Sequence, residues 1–310
     1  MSIAVVTIAH ERHQHLARQQ KSLSRGTGLP DHWVLVSMSD PALDCWRVVD
    51  GVEPCVVPLP VDPTALPLAA ARNRGAQAAL DLGADVLVFL DADCLAGPDL
   101  VAGYERAVRV DPTTIWSGPV TYLPEGLGER ELMRPWLLDR PHAARPAPAP
   151  GSLVHGAKPD LFWSLSFAMS AGAWRRSGGF EESYVGYGAE DTDFAHQASA
   201  RGLGLGWVGD SRAYHQHHPT SDPPVQHLDD LLRNGALFAE RWGRWPMDGW
   251  FEAMQTLGLV VRRGEGWARA EPRETRSAGA PDLSVHRSTP QRALSGSGRG
   301  RHGRPPGGGS

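Results

Sequence analysis

The stretch Val86-Leu87-Val88-Phe89-Leu90-Asp91-Ala92-Asp93 decides how this chain folds. Five apolar residues, two of them β-branched, lead directly into two carboxylates spaced two residues apart. A short, continuous apolar run of this kind predicts a strand that is buried on both faces, as in a parallel sheet. Ligands of open α/β sheets lie just beyond the carboxyl ends of such strands. We therefore expect Asp91 and Asp93 at a binding site.

Two neighbouring carboxylates repel each other unless a cation or a proton lies between them. A hard divalent cation such as Mg2+ or Mn2+ prefers oxygen ligands and would meet this need. The alternative is a strand that ends in an Asx turn without any ligand. The acid pair alone does not decide between these two interpretations, so the rest of the chain has to be considered.

The segments around this strand alternate between strand patterns and helix patterns. Strands are predicted at 3–8, 33–38, 47–57, 114–122 and 203–208, and helices at about 13–24, 66–82, 100–111, 193–200 and 224–242. This alternation predicts an α/β fold of the Rossmann-like type, with a mostly parallel central sheet flanked by helices.

The overall composition is that of a soluble globular protein, with 41% hydrophobic and 21% charged residues over 310 residues. The formal net charge of −4 is unevenly distributed. Residues 268–310 contain eight Arg and three acids, a balance of +5 that leaves −9 for the preceding part. An acidic body argues against a large nucleic-acid-binding surface, so no nucleic-acid partner is expected.

The three cysteines, Cys45, Cys55 and Cys94, follow no metal-binding spacing and form no even set. This pattern favours a reducing compartment. The first residues lack a basic region followed by a long apolar run, and no apolar run approaches the length of a membrane span. We expect a cytoplasmic protein without a transmembrane segment, and peripheral contact with a membrane stays open.

Two regions of the chain have the composition of irregular structure. The proline-rich run 141–151 rules out a helix or an inner strand, which makes 135–159 a long loop that we expect to be mobile. It is either a surface insertion or a lid that orders over a ligand. From 264 to 310 the chain is rich in Arg, Gly, Ser and Pro, which predicts a disordered tail.

Three further groups of polar residues have chemistry that matches the acid pair. Arg72 and Asn73 fall near the predicted start of a helix, where anions are favoured and Arg forms forked contacts with phosphate. Glu190-Asp191 with Asp193 follows a glycine-rich turn, and the histidines His215, His217 and His218 follow a strand. Carboxylates with one imidazole form a plausible Mn2+ or Mg2+ site, which would hold and neutralise a diphosphate. The alternative is that the Arg and the histidines are ordinary solvated side chains.

With these motifs in view, the sequence resembles a known family, the GT-A glycosyltransferases of the family-2 type. Its second half resembles the C-terminal region of β-1,4-galactosyltransferases and the related region of polypeptide GalNAc-transferases. The matching residues occur in the family's order across roughly residues 3–245: Thr7 and Arg12, Ala71-Arg-Asn-Arg-Gly75, Asp91-Ala-Asp93, Gly178-Gly-Phe180, Gly186-Tyr-Gly-Ala-Glu-Asp191 and Ser211-Arg-Ala-Tyr-His215.

The resemblance implies a role for each of these residues. The metal ligands would be Asp93 and His215, with Asp91 nearer the ribose, and His217 and His218 match the family's histidine less well. The donor would be bound by Thr7, Arg12, Asp40, Arg72, Asn73, Asp91 and Ala92. Asp191 would be the general base, Glu190 would bind or orient the acceptor, and Tyr187 and Gly188 would line the acceptor site.

The activity implied by the resemblance is that of a metal-dependent, inverting glycosyltransferase, a hexosyltransferase. The donor would be a nucleotide sugar, preferentially a UDP-sugar, with Mn2+ or Mg2+. The acceptor would be a hydroxyl of a glycan, a lipid-linked sugar or a small molecule. The domain would span 1–263, with a nucleotide-sugar half at 1–123 and an acceptor and metal-completing half at 161–250.

Some features depart from the family's pattern and keep other functions open. Tyr187 and Ala189 stand where galactosyltransferases commonly have Trp and Gly, which puts the acceptor in doubt. The related GalNAc-transferases are retaining, so the acid pair does not fix the stereochemistry. A non-catalytic nucleotide-sugar or glycan-binding protein on the same fold is the main alternative. An aspartyl phosphotransferase is disfavoured, because Leu95 occupies the place where it would have Thr.

Overall fold

The computed structural model describes residues 1–47 and 51–271. The strands are β1 Ile3–Ala9, β2 His32–Met38, β3 Pro54–Leu59, β4 Val86–Leu90, β5 Cys94–Ala96, β6 Thr114–Ser117, β7 Val120–Tyr122, β8 Leu153–His155, β9 Ser166–Ser170, β10 Gly204–Val208, β11 Ala213–His215, β12 Val260–Arg263 and β13 Gly266–Arg269. The helices are α1 His13–Leu23, α2 Pro41–Asp44, α3 Leu68–Asp81, α4 Leu100–Val110, α5 Glu129–Leu132, α6 Ala171–Ser177, α7 Glu190–Ala200, α8 Leu228–Trp242 and α9 Asp248–Thr256.

An eight-stranded sheet in the order β3-β2-β1-β4-β9-β6-β10-β8 forms the centre of the fold. The strands β3, β2, β1, β4, β6 and β10 run in one direction, and β9 and β8 run antiparallel to them. Helices α3, α6 and α7 pack on one face, and α1 and α4 pack on the other. The predicted α/β fold with a mostly parallel sheet is therefore confirmed.

Strand β4 lies in the middle of this sheet, between β1 and β9. All five of its residues are buried, because helices cover both faces of the sheet. Its bounds, Val86–Leu90, are those predicted from the sequence, since an unbroken apolar run is needed where neither face meets water. Asp91 and Asp93 consequently emerge at its carboxyl end.

A small second sheet, in the order β5-β11-β7, lies next to the carboxyl end of β4. Strand β11 pairs antiparallel with β5, and Cys94 lies opposite His215 in this ladder. The predicted strand 114–122 is in fact two strands, because the chain breaks at Gly118-Pro119 between β6 and β7. Gly118 approaches the carbonyl oxygen of Ser211 so closely that no side chain fits there.

The loop 135–159 contains more structure than its composition suggested. It includes a 3-10 turn at Pro135–Leu138 and the edge strand β8. The backbone N–H of His142 donates to Val120 O at 2.8 Å, and that of Gly151 donates to the Asp210 carboxylate at 2.8 Å. These bonds join both ends of the proline-rich run to the body, and whether the loop moves as a lid stays a prediction.

The C-terminal part of the described chain packs α8 and α9 against the hairpin β12-β13. Trp267 of β13 is buried together with Leu231 and Phe251. The folded chain therefore continues past Gly264, where composition placed the start of the tail. Residues 272–310, the remainder of that predicted tail, lie outside the described residues, as do residues 48–50 of the predicted strand 47–57. Within the described residues, no helix is both long and apolar enough to cross a membrane.

Candidate active site

The turn that carries the acid pair is fixed by a glutamine that the sequence analysis missed. Gln19 of α1 is buried, and its Nε2 donates to the carbonyl oxygens of Asp91 at 2.6 Å and Cys94 at 2.9 Å. Its Oε1 accepts a bond of 2.9 Å from the Thr7 hydroxyl, which also accepts from Trp33 Nε1 at 3.1 Å. Thr7 is fully buried and its hydroxyl is bonded within the protein, so its predicted donor contact stays a prediction. Through its bond to Gln19, Thr7 supports the turn that carries the acid pair.

Asp93 lies beside two histidines from the segment that starts in β11. Asp93 Oδ2 is 3.3 Å from His215 Nε2 and 3.3 Å from His218 Nε2. Ligand atoms of these three residues all lie within 4.8 Å of one another, as a metal site requires. His217 is exposed, and its carbonyl oxygen accepts from His15 Nε2 at 3.3 Å. His218, which the sequence motif disfavoured, thus joins the predicted pair of Asp93 and His215.

Hydrogen bonds and opposite charges hold the acid and the imidazoles of this cluster together. Burial raises the pKa of Asp93, but hydrogen bonds from His215 and His218 outweigh it and hold that pKa below its usual value. Burial lowers the pKa of His215, and the Asp93 carboxylate overcomes this and raises it. One carboxylate and two imidazoles suit Mn2+ better than Mg2+, which prefers an all-oxygen shell. The donor set therefore fits the divalent metal that the family resemblance implies.

Asp91 stands apart from this cluster because it is paired with Arg72. Arg72 Nη2 donates to Asp91 Oδ1 at 3.2 Å, and Nη1 donates to Glu190 Oε1 at 3.1 Å. Arg72 and Glu190 are both buried. Burial lowers the pKa of Arg72, and the charges of Asp91 and Glu190 more than offset it. Arg72 thus forms an ion-paired bridge between the two halves of the site, while its predicted phosphate contact and the predicted metal contact of Asp91 stay predictions.

Two other predicted donor-binding residues also use their polar atoms within the protein. Asn73 exchanges hydrogen bonds with the backbone of Phe180, donating to its O at 2.9 Å and accepting from its N–H at 2.8 Å. Asp40 caps α2 and accepts from the Glu11 N–H at 2.8 Å and from His13 Nε2 at 2.8 Å. Burial raises the pKa of Asp40, but these bonds lower it overall. Both residues position loops, which the motif matches alone did not reveal.

Arg12 and Ala92 keep their predicted donor roles as predictions. Arg12 has a left-handed backbone, with φ 55°, in the loop after β1. It lies near enough to the metal cluster for its charge to oppose protonation of His215. Ala92 lies between the two acids and is buried, so any donor contact would come from its backbone.

On the opposite side of the site, a tight turn leads into α7. Gly186, Gly188 and Ala189 all have positive φ, at 74°, 96° and 73°. A Cβ on Gly188 would lie 2.8 Å from Leu231 Cδ2, which explains why this position is glycine. Ala189 precedes the first helical residue, Glu190, and carries a side chain in a conformation that favours glycine. The turn delivers Glu190 and Asp191 to the site at the amino end of the helix.

The strain at Ala189 gives a prediction about stability. A left-handed conformation costs a residue with a side chain about 1–2 kcal/mol, while glycine loses about 0.4–1 kcal/mol through its freer unfolded chain. We expect Ala189→Gly to stabilise the protein by about 0.5–1 kcal/mol, measured by urea unfolding. The same exchange at Ala200, exposed in the last turn of α7, should destabilise it. A loss of stability in Ala189→Gly would contradict the strain argument.

Asp191 has the properties of a general base. It is partly exposed, and burial together with the charge of Glu190 raises its pKa to about 7. The amino end of a helix favours the charged form of an acid and so lowers its pKa. Burial and the charge of Glu190 raise the pKa of Asp191 by more than the helix lowers it. Asp193, grouped with Asp191 on sequence, is buried and accepts from Arg241 Nε at 2.7 Å and Trp242 Nε1 at 2.7 Å. Asp193 therefore fixes α8 against α7.

Aromatic rings line the space between these groups. Tyr122 stacks on His215 with ring centroids 4.6 Å apart, and His142 contacts Tyr122 at 5.6 Å and Trp163 at 5.1 Å. On the acceptor side, Tyr187 is exposed and stacks on His227 at 4.6 Å. Partial burial and the charges of Asp191 and Glu190 raise the pKa of Tyr187, so its ring lies near these two acids, and its acceptor role stays a prediction.

The chain combines a mostly parallel sheet with an acid pair after β4, a histidine segment beside that pair and a helix that carries carboxylates opposite it. The fold is that of the GT-A glycosyltransferases, which confirms the resemblance predicted from the sequence. No protein-family model matches the chain.

Two curated proteins are similar to this chain in sequence. The chain is 27% identical over 294 residues to a validoxylamine A glucosyltransferase of Streptomyces hygroscopicus subsp. limoneus, covering 86% of this chain and 63% of the relative. It is 28% identical to that of S. hygroscopicus subsp. jinggangensis, covering 65% of this chain and 52% of the relative. The chain thus spans between half and two thirds of the length of these relatives.

Solved structures give the same fold at lower sequence identity. GalNAc-T7, crystallised with UDP, GalNAc and Mn2+, superposes with a TM-score of 0.52 at 17% identity, covering 78% of this chain and 50% of that one. S. aureus TarS 1-349 in complex with UDP has a TM-score of 0.51 at 12% identity, covering 77% and 66%. These likenesses establish the fold.

Proposed function

We propose that this protein is a metal-dependent, inverting glycosyltransferase that transfers a sugar from a UDP-sugar to a hydroxyl acceptor. The observation that carries the proposal is the Arg72 bridge. It joins Asp91, next to the Asp93 cluster, to Glu190, next to Asp191. A group of residues that could hold a cation and a carboxylate with a pKa of about 7 thereby adjoin the two ends of one ion-paired bridge. These are the two elements that transfer from a nucleotide diphosphate requires.

The donor assignment is supported by the relatives. Both curated relatives are named glucosyltransferases, and structures of the fold neighbours contain UDP or UDP-GlcNAc. UDP-glucose is therefore the first donor to test. The metal ligands would be Asp93, His215 and His218, consistent with the Mn2+ bound by GalNAc-T7. When bound, the metal would neutralise the charge that develops on the diphosphate leaving group.

The protein's own residues would act on the acceptor. Asp191 accepts the proton of the acceptor hydroxyl. As it does so, the hydroxyl oxygen forms a bond to the anomeric carbon of the sugar, and the bond between that carbon and the diphosphate breaks. Attack from the face opposite the diphosphate inverts the anomeric configuration. Arg72 holds Glu190 in place, and the negative charge of Glu190 adds to burial in raising the pKa of Asp191 toward neutral pH. Tyr187 and Gly188 line the approach of the acceptor. A binding-only protein on this fold would have no use for a base with a raised pKa.

The metal assignment gives a second prediction. Chelation by EDTA and the Asp93→Ala exchange should each reduce release of UDP from UDP-glucose at least about 100-fold, since a metal supplies several kcal/mol at a leaving phosphate. His218→Ala should raise the Mn2+ concentration needed for half-maximal activity at least about tenfold. His217→Ala, an exposed histidine one residue earlier, is the matched control. Activity that survives EDTA and Asp93→Ala would rule out the metal role.

A thermal-shift series with UDP-glucose, UDP-GlcNAc and UDP-galactose in the presence of Mn2+ identifies the donor before any activity is measured. A ligand that binds only the folded state raises the melting temperature, and the rise grows with the logarithm of the ligand concentration relative to its Kd. If no nucleotide sugar shifts the melting temperature, the donor half of the proposal fails.

A further inference from the structure

Arg145, in the proline-rich loop before β8, is a buried cation without a hydrogen-bonded carboxylate among the described residues. Its side chain is 5% exposed, and Nε, Nη1 and Nη2 have no hydrogen-bond acceptor among the described residues. Arg72, the other buried Arg of the site, has two carboxylates. A guanidinium offers five N–H donors, and leaving them all unpaired in a buried place is costly. Such an exception needs an explanation, and a ligand is one.

Two tryptophans partly compensate this charge. The guanidinium carbon lies 4.8 Å from the ring centroid of Trp163 and 4.8 Å from that of Trp207. A desolvated cation–π contact contributes about 2 kcal/mol, but it gives the N–H groups no oxygen acceptor. Burial lowers the pKa of Arg145 to about 10, so the group remains charged at neutral pH. The tryptophans therefore keep a charged group in place without neutralising it.

The position of Arg145 relates it to the active site. Trp163, which it contacts, belongs to the row of rings that runs through His142 and Tyr122 to His215 of the metal cluster. The carboxylate of Asp191 also lies near enough for its charge to act on Arg145. The guanidinium is thus linked by ring contacts to the metal cluster, and it lies within electrostatic reach of the candidate base. Trp163 is partly exposed, so a shift of its indole would open the way to the guanidinium.

We propose that Arg145 forms a phosphate-binding subsite of this active site, and this assignment rests on the proposed function. Arg is the side chain that matches the geometry of phosphate with paired donors. The loop bonds of His142 and Gly151 hold the residue in place before any ligand arrives. The phosphate has two possible sources, the β-phosphate of the donor or a phosphate carried by the acceptor. Both present the same chemistry to Arg145.

The test compares Arg145→Met, which removes the charge and keeps a long side chain, with Arg140→Met, an exposed Arg in the same loop. Titration calorimetry with Mn2+ gives the Kd of UDP and of UMP, and then of inorganic phosphate added to the UDP-loaded protein. If the donor is the source, Arg145→Met raises the Kd of UDP at least tenfold and that of UMP less than twofold. If the acceptor is the source, UDP affinity is kept and phosphate binding to the UDP complex is lost.

Arg145→Met that retains the wild-type Kd for both UDP and inorganic phosphate would overturn the proposal. Should this variant fail to fold, inorganic pyrophosphate titrated into metal-free wild-type protein decides. A saturable rise in melting temperature at constant ionic strength is expected, and its absence contradicts the subsite. Failure here is distinguishable from failure of the glycosyltransferase proposal, because wild-type protein that binds UDP with Mn2+ upholds the latter whatever Arg145 does.

Discussion

Asp191→Asn is expected to reduce sugar transfer by about 10²–10⁴-fold, the usual contribution of a positioned general base. Asn has the same shape but accepts no proton from the acceptor hydroxyl. The affinity for UDP with Mn2+ should stay within twofold, since Asp191 lies on the acceptor side, across the Arg72 bridge from the metal cluster. Asp81→Asn, an exposed residue of α3, controls for the exchange itself. Loss of both transfer and UDP binding would show that Asp191 is structural.

The pH dependence of the same reaction reports on the same carboxylate. Asp191 acts as a base only when it has lost its proton, and its pKa is raised to about 7 by burial and by Glu190. Activity should therefore rise tenfold per pH unit well below pH 7 and level off above it. The residual activity of Asp191→Asn should lack this inflection. A wild-type profile that is flat between pH 5 and pH 8 would contradict the assignment of the base.

Arg72→Met is expected to destabilise the protein by about 3–5 kcal/mol, measured by urea unfolding at pH 8. The exchange leaves Asp91 and Glu190 facing each other without the cation that lies between them. Asp91 is less buried than Glu190, so the loss should fall toward the lower limit. Removal of one partner from a buried ion pair costs more than the pair itself contributes, because the remaining charges stay desolvated.

The stability of Arg72→Met should also depend on pH in a defined direction. Burial already holds the pKa of Asp91 above its usual value, and loss of the Arg72 charge, which lowers that pKa, raises it further. Protonation then favours the folded state, so the difference from wild type should be smaller at pH 5 than at pH 8. Arg74→Met, exposed on the same helix, should stay within about 0.5 kcal/mol of wild type. A loss below 1 kcal/mol at both pH values would mean that the bridge is dispensable.

The sheet could be predicted from the sequence because its signals are local. The apolar runs of β1 and β4 and the Ala-rich α3 were identified within two residues of their observed ends. The break at Gly118-Pro119 was missed, because the reason for it is the approach of Ser211 from a distant part of the chain. The hairpin β12-β13 was missed because its charged strands are fixed by packing of Trp267 against α9.

The site was predicted in its residue types better than in its contacts. The motif placed Asp93 and His215 together, and their proximity follows from the pairing of β5 with β11. It could not show that the polar side-chain atoms of Thr7, Asn73 and Arg72 form hydrogen bonds within the protein. Gln19 and Arg145 carry no recognisable motif, since one acts through backbone carbonyls and the other lies in an irregular loop. Their importance is visible only from burial and from the presence or absence of hydrogen-bond partners.

The pairing of Cys94 with His215 has a consequence for how an ion would enter and leave. Asp93 directly precedes Cys94, and the N–H of Gln216, directly after His215, donates to Asp93 O at 2.8 Å. The carboxylate and the imidazole are thus set at their spacing by a β-ladder, whatever else occupies the site. A metal would find its ligands already in position and would order little of the chain on binding. Stripping and replacing the ion should be reversible without unfolding, which makes the site suitable for spectroscopic metals such as Co2+.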